Sequence, residues 1–148
     1  MTPSRRDAEP DGSGGPPRVL TGTVASGRGL GAPRMAGSDV LARMRDLVGF
    51  ALVPGTLNLR FPQPFERRLL PAYVSAEEID PAWESLTGQA GYFIAAARVA
   101  DRYRGLAFQA DEPGYPADLL EVLSEVHLRD ALGLHDGDRL TLTLHDRG

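Results

Sequence analysis

Apolar and polar positions change period several times along the chain, and each period predicts a different element. In VLTGTVASG the alternation of Leu20, Gly22 and Val24 is weak, but the β-branched content favours a strand. GRGLG follows as a loop. Ser38 is a candidate cap for a helix through DVLARMRDLV, where Val40, Leu41, Met44, Leu47 and Val48 keep i, i+3, i+4 spacing and Gly49 ends the run. Pro54-Gly55 marks a turn. TLNLRF then alternates cleanly, with Leu57, Leu59 and Phe61 on one side, Thr56, Asn58 and Arg60 on the other, and Pro62 and Pro64 closing the strand.

Residues 65–90 hold no sustained period. Ser75 with Glu78 forms a candidate capping box for a short helix that Pro81 would interrupt. Segments 91–99 (GYFIAAARV) and 103–110 (YRGLAFQA) predict strands. Pro116 opens a predicted helix over Asp118–Leu132, with Leu119, Val122, Leu123, Val126 and Leu132 as its apolar stripe. Asp136-Gly137-Asp138 predicts a turn, and RLTLTLHD a last strand with Leu140, Leu142 and Leu144 inward. There is no internal repeat. Strands at both ends, with one helix following each half, predict a mainly β barrel carrying short helices rather than βαβ units.

Composition narrows the picture. The 148 residues suit one domain, 18–146, preceded by a tail, 1–17, whose prolines, glycines and scattered charges predict disorder. No apolar run is long enough to cross a bilayer, no apolar leader opens the chain, and cysteine is absent, so a cytoplasmic protein is expected. A net charge of −4 argues against a nucleic-acid partner. All 16 basic residues are arginine. Without lysine, a Walker A loop, a protein-kinase strand lysine and Schiff-base chemistry are all excluded.

Three places could carry chemistry. Gly27-Arg28-Gly29-Leu30-Gly31 could bring a row of N–H groups against phosphate, although a plain surface loop fits equally well. Thr56 and Asn58, two apart on a strand, present hard neutral oxygens suited to Mg²⁺, or simply a polar edge face. The predicted helix carries Glu121, His127 and Arg129, each of which could equally be a solvated surface residue. Arg129 could pair with Asp130 or Glu125 as readily as with a phosphate.

Taken in order, these pieces resemble the CTP-dependent riboflavin kinases known chiefly from archaea. The G-x-G-x-G loop follows the first strand, and Gly49-Phe50 leads to Pro54-Gly55-Thr56-Leu57-Asn58-Leu59. Leu120-Glu121-Val122-Leu123, Leu128-Arg129 and Leu134-His135-Asp136-Gly137-Asp138 complete the series. The resemblance covers roughly residues 18–146 and is most specific at PGTLNL. It implies a compact Greek-key cradle-loop barrel that moves phosphate from CTP to riboflavin, giving FMN and CDP. It also implies nucleotide contacts from Gly27, Arg28, Gly29, Leu30, Gly31 and Ala32, and from Val126, His127, Leu128 and Arg129. Mg²⁺ would bind at Thr56 and Asn58, and flavin at Glu121 and at position 113, where Pro113 replaces the family's threonine. Glu121 is the candidate catalytic base. CTP and riboflavin are the expected partners, with no nucleic acid and no membrane, and a monomer is expected. The alternatives are a non-catalytic nucleotide- or flavin-sensing barrel and, further off, a DNA-binding barrel.

Overall fold

The structure, a computed structural model, describes residues 17–26, 38–53, 55–75 and 90–145. Along the chain it holds β1 (Arg18–Ala25), α1 (Ser38–Val48), β2 (Leu57–Arg60), a 3-10 turn at Arg67–Leu69, β3 (Ala72–Ser75), β4 (Gly91–Val99), β5 (Tyr103–Asp111), β6 (Leu119–Ser124), α2 (Leu128–Leu132) and β7 (Arg139–His145). The strands follow the order β3-β4-β5-β6-β2-β1-β7, and β7 pairs back onto β4. Six strands therefore close into an antiparallel barrel, as the sequence predicts. One edge of β4 is shared: Gly91–Ile94 pairs with β3, and Ala96–Val99 with β7.

Closure divides the apolar residues into two clusters. Leu57, Leu59, Ala97, Ala107, Leu120, Val122, Leu140, Leu142 and Val24 form one. Every barrel strand contributes to it, which places it in the interior. Residues of opposite parity on the same strands, Ile94, Leu106, Phe108 and Leu123, form the second cluster with Met44, Leu52 and Val74. This outer face would be wet without α1, whose Met44 is fully buried while Val48 is half-buried against the cluster. Leu47, placed on the same stripe by its spacing, is instead exposed, and the side chains of Val40 and Leu41 lie outside the described residues. Gly49 stops the helix at φ +81°, a left-handed conformation that glycine tolerates best.

The predicted helix Asp118–Leu132 is corrected. Leu119–Ser124 is strand β6, bonded to β5 on one edge and to β2 on the other, and only Leu128–Leu132 is helical. All six residues of β6 are buried because both faces are covered. A strand buried on both faces loses its alternation, so a run such as LLEVLS is indistinguishable from one side of a helix by period alone. Ser75 ends β3, and the short helix that it and Glu78 are expected to cap falls within residues 76–89, outside the described residues. Asp136-Gly137-Asp138 turns as expected but joins α2 to β7, with Gly137 at φ +94°.

Candidate functional site

The candidate site lies on the outer wall, where β2 and β6 run side by side. After α1, the chain passes beneath the outer cluster at Leu52, and Val53 N–H donates to the Ser124 carbonyl at 2.9 Å. That bond holds Val53 beside β6. The chain then turns at Gly55, with φ +104°, and enters β2 in a register that sets Asn58 opposite Glu121. Leu57 and Leu59 are spent on the barrel interior, so Asn58 takes the outward parity and meets Glu121 there.

Glu121 is buried, yet it is a polar residue in a strand of leucines and valines. Its carboxylate is held from two sides. Thr56 Oγ1 donates to Oε1 at 3.1 Å, and Tyr115 OH donates to Oε2 at 2.6 Å. Burial first, and the neighbouring carboxylate second, push the Tyr115 phenol well above the ordinary tyrosine range, so it stays a proton donor. Because Thr56 spends its proton on Glu121, the hydroxyl oxygen keeps its lone pairs for another partner.

Asn58 Oδ1 is the unsatisfied atom of the group. It is buried and accepts no hydrogen bond among the described residues. An orphan acceptor of that kind costs about 1–3 kcal/mol, and a cation or a donor on a bound ligand would relieve it. Thr56 and Asn58 thus fit a hard divalent cation that takes few protein oxygens and keeps water or phosphate for the rest. Among the described residues no three His, Asp or Glu side chains gather into an alternative metal cluster.

The loop between β5 and β6 is anchored at its far end. Gln109, buried on β5, donates from Nε2 to the Ala117 and Leu119 carbonyls at 3.2 and 2.7 Å, and Arg60 pairs with Asp118 at 2.5 Å. Phe65 N–H bonds the Ala117 carbonyl as well. The loop tip is different: Pro113 and Gly114 are exposed. Tyr115 stands at the junction, where the loop closes onto Glu121. Of the residues assigned to the flavin side by sequence, Glu121 is therefore built into the wall, whereas Pro113 stands on an exposed tip.

The segment Val126–Arg129 splits by direction. Val126 and Leu128 pack toward the interior cluster, leaving His127 and Arg129 outward. The His127 ring lies close to Gly55: a Cβ added at Gly55 would sit 3.9 Å from it. This brings α2 against the turn that precedes Thr56. His127 also pairs with Asp130 at 3.3 Å. Arg129 pairs with neither Glu125 nor Asp130. It donates to Asp136 Oδ1 at 2.6 Å, while Ser26 Oγ donates to Asp136 Oδ2. Those two bonds, Ser26 first, hold the Asp136 carboxyl below the usual aspartate range. Glu125 is taken by Arg104 instead, at 2.9 Å. Ser26 immediately precedes the glycine loop; residues 27–32, assigned to the nucleotide by sequence, lie outside the described residues.

Three participants escaped the sequence reading: Tyr115, Gln109 and the Ser26–Asp136 pair. Gln109 sits within an apolar strand run and Tyr115 in a loop, and neither position carries a period. The available signal was Tyr115's place six residues before Glu121, the span of one short loop and half a strand.

Comparison with known proteins agrees with this architecture. Residues 24–144 match the CTP-dependent riboflavin kinase family model, whose description is domain of unknown function DUF120. The chain is 32% identical over 134 residues to a riboflavin kinase of Methanocella arvoryzae, covering 88% of this chain and 58% of that protein. It is 36% identical over 125 residues to a riboflavin kinase of Archaeoglobus fulgidus, covering 80% of this chain and 51% of that protein. A riboflavin kinase of Methanococcoides burtonii is 30% identical over 132 residues, with 86% and 57% covered. The chain thus spans little more than half the length of these curated relatives. On a match over most of its length, and with the closed barrel in place, the chain belongs to the CTP-dependent riboflavin kinase family.

Proposed function

We propose that this chain transfers the terminal phosphate of CTP to the ribityl 5′-hydroxyl of riboflavin, giving FMN and CDP with Mg²⁺ as the required ion. The observation that carries the reading is the convergence of Thr56, Asn58 and Glu121 on one wall, with Asn58 Oδ1 buried and unpaired. Family membership supports the donor, and the relatives' name supports the acceptor.

In this reading the bond from the γ-phosphorus to the bridging oxygen of CDP breaks, and a bond from phosphorus to the ribityl oxygen forms. A loose transition state of this type asks mainly for positioning and charge neutralisation. Thr56 and Asn58 would hold Mg²⁺, which would supply charge to neutralise the phosphates. Gly27–Ala32 would supply the phosphate contacts expected from its glycines, and Val126–Arg129, at the start of α2, would meet the nucleotide as well. Val126 and Leu128 point into the barrel, so their part falls to the backbone, and His127 and Arg129 offer side chains. Glu121 faces the acceptor alcohol and takes its proton late in the transfer. Arg129, committed to Asp136 beside Ser26, steadies the root of the glycine loop.

The test is incubation with riboflavin, Mg²⁺ and each nucleoside triphosphate in turn, with FMN read by chromatography. FMN is expected with CTP well above the other nucleotides. No FMN with any nucleotide would overturn the reading and favour a non-catalytic barrel that binds nucleotide or flavin.

A further inference from the structure

Tyr115 takes no part in the proposed phosphate transfer, yet it makes a short contact with the central carboxylate. Its ring packs against the outer cluster, and its hydroxyl lies 2.6 Å from Glu121 Oε2. The other oxygen of Glu121 receives the Thr56 hydroxyl at 3.1 Å. Glu121 is therefore a bridge between a loop tyrosine and a strand-edge threonine. Two donors on a buried carboxylate fix its torsion more firmly than one, and the charged acceptor makes both bonds strong. The direction of the Thr56 proton follows from where Glu121 Oε1 stands. With the proton turned to Glu121, the lone pairs of Oγ1 face away from it.

We propose that Tyr115 is a positioning residue: acting through Glu121, its hydroxyl orients Thr56 so that the threonine oxygen and Asn58 Oδ1 serve one cation together. The inference rests on the kinase reading for its substrate and on the chain's own geometry for the relay. The anchoring of the loop suits the task. Ala117, Asp118 and Leu119 are tied to Gln109, Phe65 and Arg60, so Tyr115 reaches Glu121 from a base fastened at three residues. The tip at 113 and 114 is exposed and lies before the tyrosine. A substitution there leaves the relay intact.

The relay is tested with Tyr115→Phe, which keeps the ring in the outer cluster and removes only the hydroxyl. Two readouts are taken on the full chain. The first is binding of Mn²⁺ in the presence of CDP, followed by water-proton relaxation and independent of turnover. The variant is expected to bind Mn²⁺ about tenfold more weakly, the worth of one hydrogen bond to a charged group. CDP affinity without metal should be unchanged. The second is FMN formation, where kcat should fall by a similar factor at saturating CTP and the KM for riboflavin should stay within about twofold. A role confined to packing predicts the opposite, a lower melting temperature with unchanged metal affinity, and that result overturns the proposal. So does a wild-type protein that binds no Mn²⁺ with CDP. If the wild type binds Mn²⁺·CDP but forms no FMN, the kinase reading fails while the metal titration still decides the relay. Glu121→Gln serves as the second variant. It removes the bridging charge, so Tyr115→Phe should then have no further effect on Mn²⁺ binding; additive losses would mean that Tyr115 acts by another route.

Discussion

Asn58 is placed where a folding optimum would not put it. A buried amide oxygen without a donor is a cost, and nothing among the described residues relieves it. An alanine there would remove the orphan and leave a strand of unchanged register. Asn58→Ala is therefore expected to keep or slightly raise the melting temperature, by the equivalent of about 1 kcal/mol or less, while Mg²⁺-dependent CDP binding is lost. Calorimetric titration of CDP with and without Mg²⁺ checks it, and unchanged metal-dependent affinity removes Asn58 from the site. Thr56 and Asn58 could be picked out from sequence because a strand has period two and their leucine neighbours declare the inward face. Tyr115 could not. Its contact with Glu121 depends on how the loop over residues 112–118 is tied down by Gln109 and Arg60, and no local pattern encodes that.

At the level of elements, strands with one wet face were readable and the strand without one was not. β2 and β7 alternate buried and less buried positions, and their inward leucines are those the pattern marks. β6 is buried throughout, so Glu121 was assigned to a helix although it belongs to a central strand. Its element differs from the sequence expectation because Leu-Leu-Glu-Val-Leu fits either period. β4 and β5 were found, but the turn between them holds a feature that the sequence conceals. Ala100 and Asp101 both have positive φ, 52° and 60°, in a tight turn closed by Arg102 N–H to the Val99 carbonyl at 2.9 Å. Two left-handed residues match the right-handed twist of a hairpin, and asparagine followed by glycine is the pair best suited to them. Asp101 is exposed, so replacing it changes backbone energy and little else. Asp101→Gly should raise stability by about 0.5 kcal/mol, whereas Asp101→Val should lower it by about 1–2 kcal/mol. Urea unfolding of both variants reads the order directly, and a valine variant as stable as the wild type would show that the turn relaxes without strain.

Over the whole molecule, barrel closure depends on residues far apart in the chain. β1 pairs with β7 along Arg18–Thr23, and just past that pairing the end of β1 is fastened to the loop between α2 and β7 by Ser26, Asp136 and Arg129. A second fastening joins Arg104 at the start of β5 to Glu125 after β6, through one backbone and two guanidinium hydrogen bonds. Both carboxyls are pulled below their ordinary values of 3.8 and 4.5. For Asp136 the cause is Ser26 and then Arg129; for Glu125 it is the backbone N–H and then the side chain of Arg104. A depressed carboxyl is ionised in the native state at pH values where the unfolded chain already binds a proton. The unfolded state then holds more protons, and stability rises with pH across that interval. The contribution is complete above the ordinary values and disappears as pH falls through the folded ones. Because Asp136 is exposed and Glu125 is only partly buried, each step is small and screened by salt. Urea unfolding from pH 6 down to pH 2.5 at low ionic strength should show wild-type stability level at the upper end and declining below about pH 4.5. The double variant Glu125→Gln, Asp136→Asn should start lower and decline less, so that the two curves converge in acid. A constant gap at every pH would mean that these bonds act through shape alone and that the charge on Glu125 and Asp136 plays no part in holding the barrel closed.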